Sequence, residues 1–372
     1  MKLWSRLKKN KIRSSIAYTI KPRKVKFEWQ DSPIDWIPNH PFASYFINEI
    51  NMILPAGEFW FCRLYNKVLP QISDEKLKQD VQAFIRQEAM HAQAHNSANK
   101  EYLSQRKIDV SRNLELMDFL FGKLLADKPL DLTVPKALEY QWDLFRLGII
   151  ATVEHMTCVL GKYALDNTEW KKMGADPAML DLIKWHGAEE IEHRTVAFDL
   201  YRHLGGGYIA RYYLSLVVIA AVLGLWVDGA AHIMKQDDRF KSIQPSLFKP
   251  WIWREWLSIS KRNHQVLPSP LWLISQQFGY LVGRERGITR SSWIPVSRPL
   301  ASRQSGVDQR WVSETSSAEA RHSLSLQARS NQRAALSRRM GCKPRRRQLK
   351  KISPPQNQAT RLSQWEEKGI NL

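Results

Sequence analysis

The chain has 372 residues, with 56 Lys+Arg, 36 Asp+Glu and three Cys. At 44% apolar and 25% charged residues it has the composition of a globular protein with one large or two ordinary domains, and a fully disordered chain is excluded. Cys62, Cys158 and Cys342 are too widely and irregularly spaced for a disulfide scaffold or a Cys-based zinc module, and they fit a reducing compartment, the cytoplasm.

The formal charge of +20 sits at the two ends. Residues 1–26 hold ten Lys/Arg and no acid, and residues 286–372 hold 18 Lys/Arg against five acids. The remainder, 27–285, carries 28 basic and 31 acidic residues. A near-neutral body with basic ends points to solvated tails or to contact with an anionic surface, not to a nucleic-acid reader. No zinc-finger, RNP or helix-turn-helix pattern is present, so nucleic acid is not the expected partner.

Residues 1–30 read as a basic arm without the apolar core of a secretory signal, although Trp4 and Leu7 offer a weak membrane anchor. The Pro-rich stretch DSPIDWIPNHPF follows as an extended entry. From about Ala43 the apolar spacing turns helical, with Pro55 marking a kink or a start. Asp74 is placed to N-cap a second long helix running to about Tyr102. Residues 104–137 read as one short helix within a long connection. A third long helix follows Pro135, and a fourth starts at Pro177 and is ended by Gly205, Gly206 and Gly207. Strand signals are absent here. The expected fold is all-α: over 31–207, a ferritin-like four-helix bundle with a crossover between its second and third helices.

Residues 208–285 read as an apolar, Trp-rich helical extension. Its run Tyr212–Val227 has 16 uncharged residues, short for a membrane span of roughly 20, and carrying it past Asp228 would bury a carboxylate. Five of the fifteen Trp fall within 226–272, which suits either a core or a membrane–water boundary, so the inner membrane is a candidate resting surface. Residues 286–372 are rich in Ser, Arg and Gln and read as a disordered tail, although a shifted reading frame could also produce such an ending.

The chemistry lies in acids and histidines inside the four helices. The first has Glu58, the second Glu88-Ala-Met-His91, the third Glu154 and the fourth Glu190-Ile-Glu-His193. Glu and His three apart share a helix face, so both reach one metal. Four carboxylates and two imidazoles in this order are the ligand set of carboxylate-bridged di-metal bundles. With 19 Glu and 10 His, chance gives about half a Glu-x-x-His match. Three occur, and the third, Glu319 with His322, lies in the tail, so a lone match means nothing. The case rests on pairing: each of the other two follows a helix carrying a Glu among apolar neighbours.

His186 and His95 sit one turn from Glu190 and His91 and could support the site, add a ligand, or be ordinary satisfied histidines. Glu189 competes with Glu190, and Glu190 is preferred because its spacing to His193 repeats that of Glu88 to His91. Glu192 and His155 are expected to point elsewhere, and Tyr65 reads as core before it reads as a partner of the metals. The expected cofactors are two divalent ions, iron preferred and manganese allowed, serving a small apolar substrate. The chemistry reads as oxygen activation, with hydrolysis by a metal-bound water or non-catalytic metal binding as alternatives. Oligomeric state is left open.

In RKVKFEW, IDWIPNHPFASYFIN, LPAGEFWFCRLY, FIRQEAMHAQAHN, ATVEHMTCVLG and WHGAEEIEHRTVAFDLY the chain resembles a bacterial family of predicted metal-dependent hydrolases with a ferritin-like core. The resemblance covers roughly 22–285 and implies Glu58, Glu88, His91, Glu154, Glu190 and His193 as metal ligands.

Overall fold

Residues 20–282 are described by a computed structural model. Residues 1–19 of the basic arm and the tail read as disordered, 286–372, lie outside the described residues. Among the described residues there is no β-strand. The helices are α1 (Pro41–Asn48), α2 (Ile50–Val68), α3 (Glu75–Ser97), α4 (Ser111–Asp118), α5 (Glu139–Asp166), the short α6 (Glu169–Lys172), α7 (Pro177–His193), α8 (Val196–His203), α9 (Tyr208–Met234), the short α10 (Asp238–Lys241), α11 (Pro250–Arg262) and α12 (Pro270–Val282).

Local chemistry sets the ends of these helices. Leu77 N donates to the Asp74 carboxylate at the start of α3 (2.9 Å), and Met179 N to Asp176 at the start of α7 (2.9 Å), where Pro177 fills the first position. The expected first helix is two, divided at Glu49. Pro55 stands inside α2 and cannot donate to the Asn51 carbonyl one turn back; the Asn99 side-chain amide donates there instead. The expected fourth helix is also two. It breaks after His193, where the Arg194 guanidinium takes the Ile191 carbonyl (2.6 Å), and resumes as α8 until Gly205 turns the chain at φ +83°.

Four helices close a ring: α2 packs on α3, α3 on α7, α7 on α5, and α5 on α2. The connection between α3 and α5 holds α4, as expected, and π-helical turns continue both α3 and α4. The apolar interior forms two large clusters. One is built around Trp36, Phe46, Met52, Trp185, Trp226 and Trp256, the other around Trp60, Tyr65, Phe84, Ile150 and Tyr201. Along α3, α5 and the α7–α8 pair, one cluster gives way to the other at the acid and histidine positions, so a buried polar belt separates them.

The extension is part of the body. Trp226 of α9 donates to the Phe46 carbonyl of α1 (2.6 Å), and Ser215 meets Thr152 of α5 (2.9 Å). α9 runs straight through Asp228, because that carboxylate stays partly exposed and pairs with Arg112 (2.8 Å). Among the described residues two helices, Lys136–Asp166 and Tyr208–Met234, are long and apolar enough to cross a membrane, and their most apolar stretches are 67% and 50% buried in the body. The last residues of the expected arm pack as well: Ile20 and Trp29 are buried.

Candidate metal centre

Glu58 comes from α2, Glu88 and His91 from α3, Glu154 from α5, and Glu190 and His193 from α7. All six are 2% exposed or less. His193 Nε2 lies 3.4 Å from Glu88, 3.4 Å from Glu154 and 3.2 Å from Glu190. His91 Nδ1 lies 3.7 Å from Glu88 and 3.6 Å from Glu190. Ligand atoms of Glu88, Glu154, Glu190 and His193 fall within 4.8 Å of one another, and so do those of Glu58, Glu88 and His91. Glu88 is common to both groups. The six residues singled out in the sequence therefore lie together.

Most inward-facing polar atoms of this cluster lack hydrogen-bond partners in the protein. Both carboxylate oxygens of Glu58, Glu88 and Glu154 are buried without a hydrogen bond, as are His91 Nδ1 and His193 Nε2. Buried acceptors are normally satisfied, and leaving a carboxylate unpaired costs several kcal/mol on the order expected for buried charge. Burial pushes the Glu58, Glu88 and Glu154 carboxyls well above the ordinary range, and the Glu190 charge pushes each of them further. Burial acts on Glu190 too, but His193 and His186 outweigh it and hold that carboxyl well below the ordinary range. This donor set fits divalent cations, which neutralise clustered carboxylates and occupy bare imidazole nitrogens.

A second layer orients the histidines. His91 Nε2 faces Glu189 (3.2 Å), whose other oxygen accepts from the Arg23 backbone (2.9 Å) and guanidinium (3.1 Å). His193 Nδ1 faces Gln87 Oε1 (3.2 Å). His91 Nε2 and His193 Nδ1 are thereby turned outward to those oxygens, and the other nitrogen of each ring faces the cluster. Thr157 of α5 donates to Glu190 of α7 (2.6 Å). Glu189 thus supports His91 and is not aimed into the cluster. Glu192 pairs with Arg23 and accepts from Gln87, and His155 meets the Gln276 carbonyl and the Tyr280 ring; both point away, as expected. Tyr65 is buried with an unpartnered hydroxyl; it stacks on Phe84, whose ring lies 4.6 Å from that of His193.

Sequence reading missed Arg23, Gln87, Thr157 and Asn51. The last three had a usable signal: Gln87 adjoins Glu88, Thr157 is one turn after Glu154, and Asn51 is two turns before Glu58. Arg23 had none, because nothing in its segment says where an extended chain docks.

The helices α5 and α7 approach closely enough to bring these groups together. A Cβ on Gly187 would stand 2.7 Å from Gly161 Cα, and one on Gly161 2.8 Å from Gly187 Cα. No curated protein and no solved structure matches the chain. The sequence profile of a family described as predicted metal-dependent hydrolase matches residues 21–279, a span that holds every residue of the cluster and the Arg23 that supports it, and the chain belongs to that family.

Proposed function

We propose that Glu58, Glu88, His91, Glu154, Glu190 and His193 hold two divalent ions, preferentially iron, in a ferritin-like bundle that activates oxygen toward a small apolar substrate. The observation that supports it is the set of six carboxylate oxygens without partners, closed off from water on all sides. Glu88 and Glu190, whose oxygens group with ligand atoms on both sides, would be shared. Glu58 and His91 would hold one ion, Glu154 and His193 the other. Bound ferrous ions would supply the electrons that oxygen takes up. The chain itself orients the imidazoles through Glu189 and Gln87 and excludes water. It also flanks the histidines with Phe84, 4.6 Å from the His193 ring, and Trp185, 5.0 Å from that of His91. A sealed apolar setting suits a small uncharged reactant better than an ester or phosphate with its attacking water.

The test is anaerobic loading of the purified full chain with iron(II), followed by oxygen. Two irons per chain and an oxygen-dependent optical change are expected. The second reading, hydrolysis by a metal-bound water, is favoured by the family description. Zinc or manganese uptake with ester or phosphate turnover and no reaction with oxygen would establish it in place of the first.

We also propose that the body rests on an anionic membrane surface. On α9, Ile209, Tyr213 and Val217 are 71%, 65% and 67% exposed, and Leu216 is exposed beside them. Leu138, Tyr140 and Phe145 extend the face onto the start of α5, which adjoins α9: Leu214 lies against Gly148. Exposed Lys136 and Glu139 accompany them. An apolar face of this extent marks a docking site. The occupant follows from charge: residues 1–19 carry six Lys/Arg and no acid, and 286–372 carry 18 against five acids, which suits anionic headgroups.

A further inference from the structure

A line of polar side chains leaves the metal centre through His186. Its Nε2 lies 2.8 Å from Glu190 Oε1 and 3.8 Å from Glu58 Oε1. Its Nδ1 lies 2.6 Å from His95 Nε2, and His95 Nδ1 lies 2.8 Å from Asn51 Oδ1. All of these residues are 7% exposed or less.

The order of donors along this line is determined from its far end. The Asn51 oxygen can only accept, so His95 Nδ1 carries the proton. Burial, with the neighbouring imidazoles, holds His95 well below the ordinary histidine range, so it is neutral and its Nε2 is bare. That nitrogen accepts from His186 Nδ1–H. The second nitrogen of His186, Nε2, points back into the centre and meets a Glu190 carboxylate oxygen at 2.8 Å. That nitrogen thus reaches Glu190 and Glu58, carboxylates that also group with His91. His91 and His193 have the same arrangement, with one nitrogen facing a buried acceptor and the other aimed inward. Ligand atoms of His186 also group within 4.8 Å with those of His91 and Glu190, and with those of Glu58 and His95.

We propose that His186 is a third imidazole ligand of the centre, bound to the ion held by Glu58 and His91, with His95 and Asn51 fixing its tautomer. The inference rests on the di-metal reading above. It makes the two ions unequal: one has two imidazoles, the other only that of His193. A neutral imidazole adds no charge, so four carboxylates still balance two divalent ions. His95 acts through His186 and is a positioning residue.

The experiment uses the metal-free full chain and cobalt(II). Each imidazole bound to cobalt gives a paramagnetically shifted ring N–H resonance, and these N–H groups are buried against Glu189, Gln87 and His95, which slows their exchange. Three such resonances are expected in the wild type, and two in His186→Ala. The variant should bind one of its two cobalt ions more than about 100-fold more weakly, beyond the range typical of groups that only support a ligand, and added imidazole should restore part of the loss. Two resonances in the wild type, with two cobalt ions bound, would overturn the His186 assignment and leave the di-metal reading standing. Because the wild-type count decides this, a poorly folded variant does not obscure the result. A wild-type chain that takes up no cobalt would overturn both.

Discussion

Gly187→Ala tests whether the close approach of α5 and α7 is what assembles the centre. The new Cβ would lie 2.7 Å from Gly161 Cα and 2.9 Å from the Gly161 carbonyl oxygen, both backbone atoms that cannot rotate away. Ordinary contact begins near 3.4 Å, so the helices must part by roughly 0.7 Å there. Overpacking of this kind costs about 1–3 kcal/mol, and alanine's better helix propensity returns about 0.5–1 kcal/mol. A net loss of about 1–2 kcal/mol corresponds to a fall in Tm of about 2–8 °C for a body of this size. The parting is transmitted to the metal site, because Gly187 is one turn from Glu190, and Glu154, Thr157 and Gly161 share the facing stripe of α5. The Thr157–Glu190 bond of 2.6 Å and the 3.4 Å approach of Glu154 to His193 lie directly in its path. Cobalt affinity should fall about 10–100-fold, as when a ligand's support is removed. Calorimetry and metal titration read both effects. Gly224→Ala is the control: its Cβ meets nothing within 4 Å, so it should stabilise the chain slightly and leave metal binding unchanged. A Gly187→Ala protein with the wild-type Tm and affinity would refute the reasoning.

Glu154→Gln should raise the metal-free Tm at pH 8 by a few degrees, since it removes a buried carboxylate repelled by Glu190, while metal uptake falls sharply; an unchanged or lower apo Tm after chelation would count against a site shaped for cations. Glu49→Gln tests a carboxyl outside the site, which accepts from Asn113 (2.9 Å) and is driven well above the ordinary range by burial and by Asp228. A raised folded pKa contributes stability that is fully present below the unfolded value near 4.3 and is lost as pH rises from there through the folded value. The variant should therefore gain on the wild type by about 1 kcal/mol or more between pH 5 and pH 8 in denaturant titrations, and a constant difference would show the carboxyl to be unshifted. The full chain should co-sediment with phosphatidylglycerol vesicles and less with phosphatidylcholine ones; Ile209→Glu with Val217→Glu should abolish the binding, and equal binding by that double variant would remove α9 from the membrane proposal.

What the sequence disclosed depended on whether the determinant was local. The identity of α3 and the facing of Glu88 and His91 follow from an N-cap and a 3.6-residue period, both contained within one helix. The choice of Glu190 over Glu189 followed from the same spacing, and Glu189 proves to face Arg23. The break after His193 was not legible, because it arises where the Arg194 guanidinium competes for the Ile191 carbonyl, and no pattern signals that competition. The full length of α9 was not legible for a related reason. Asp228 looked like a carboxylate that a longer helix would have to bury, yet Arg112, from the far side of the long connection, gives it a partner at the surface. His186 shows the limit most clearly. Its spacing from Glu190 placed it on the correct face but left its role open, since support, ligation and simple packing share that geometry. The distinction depends on which ring nitrogen carries the proton. That is set by Asn51, 135 residues earlier in the chain and acting through His95, so only the folded arrangement of α2, α3 and α7 can decide it.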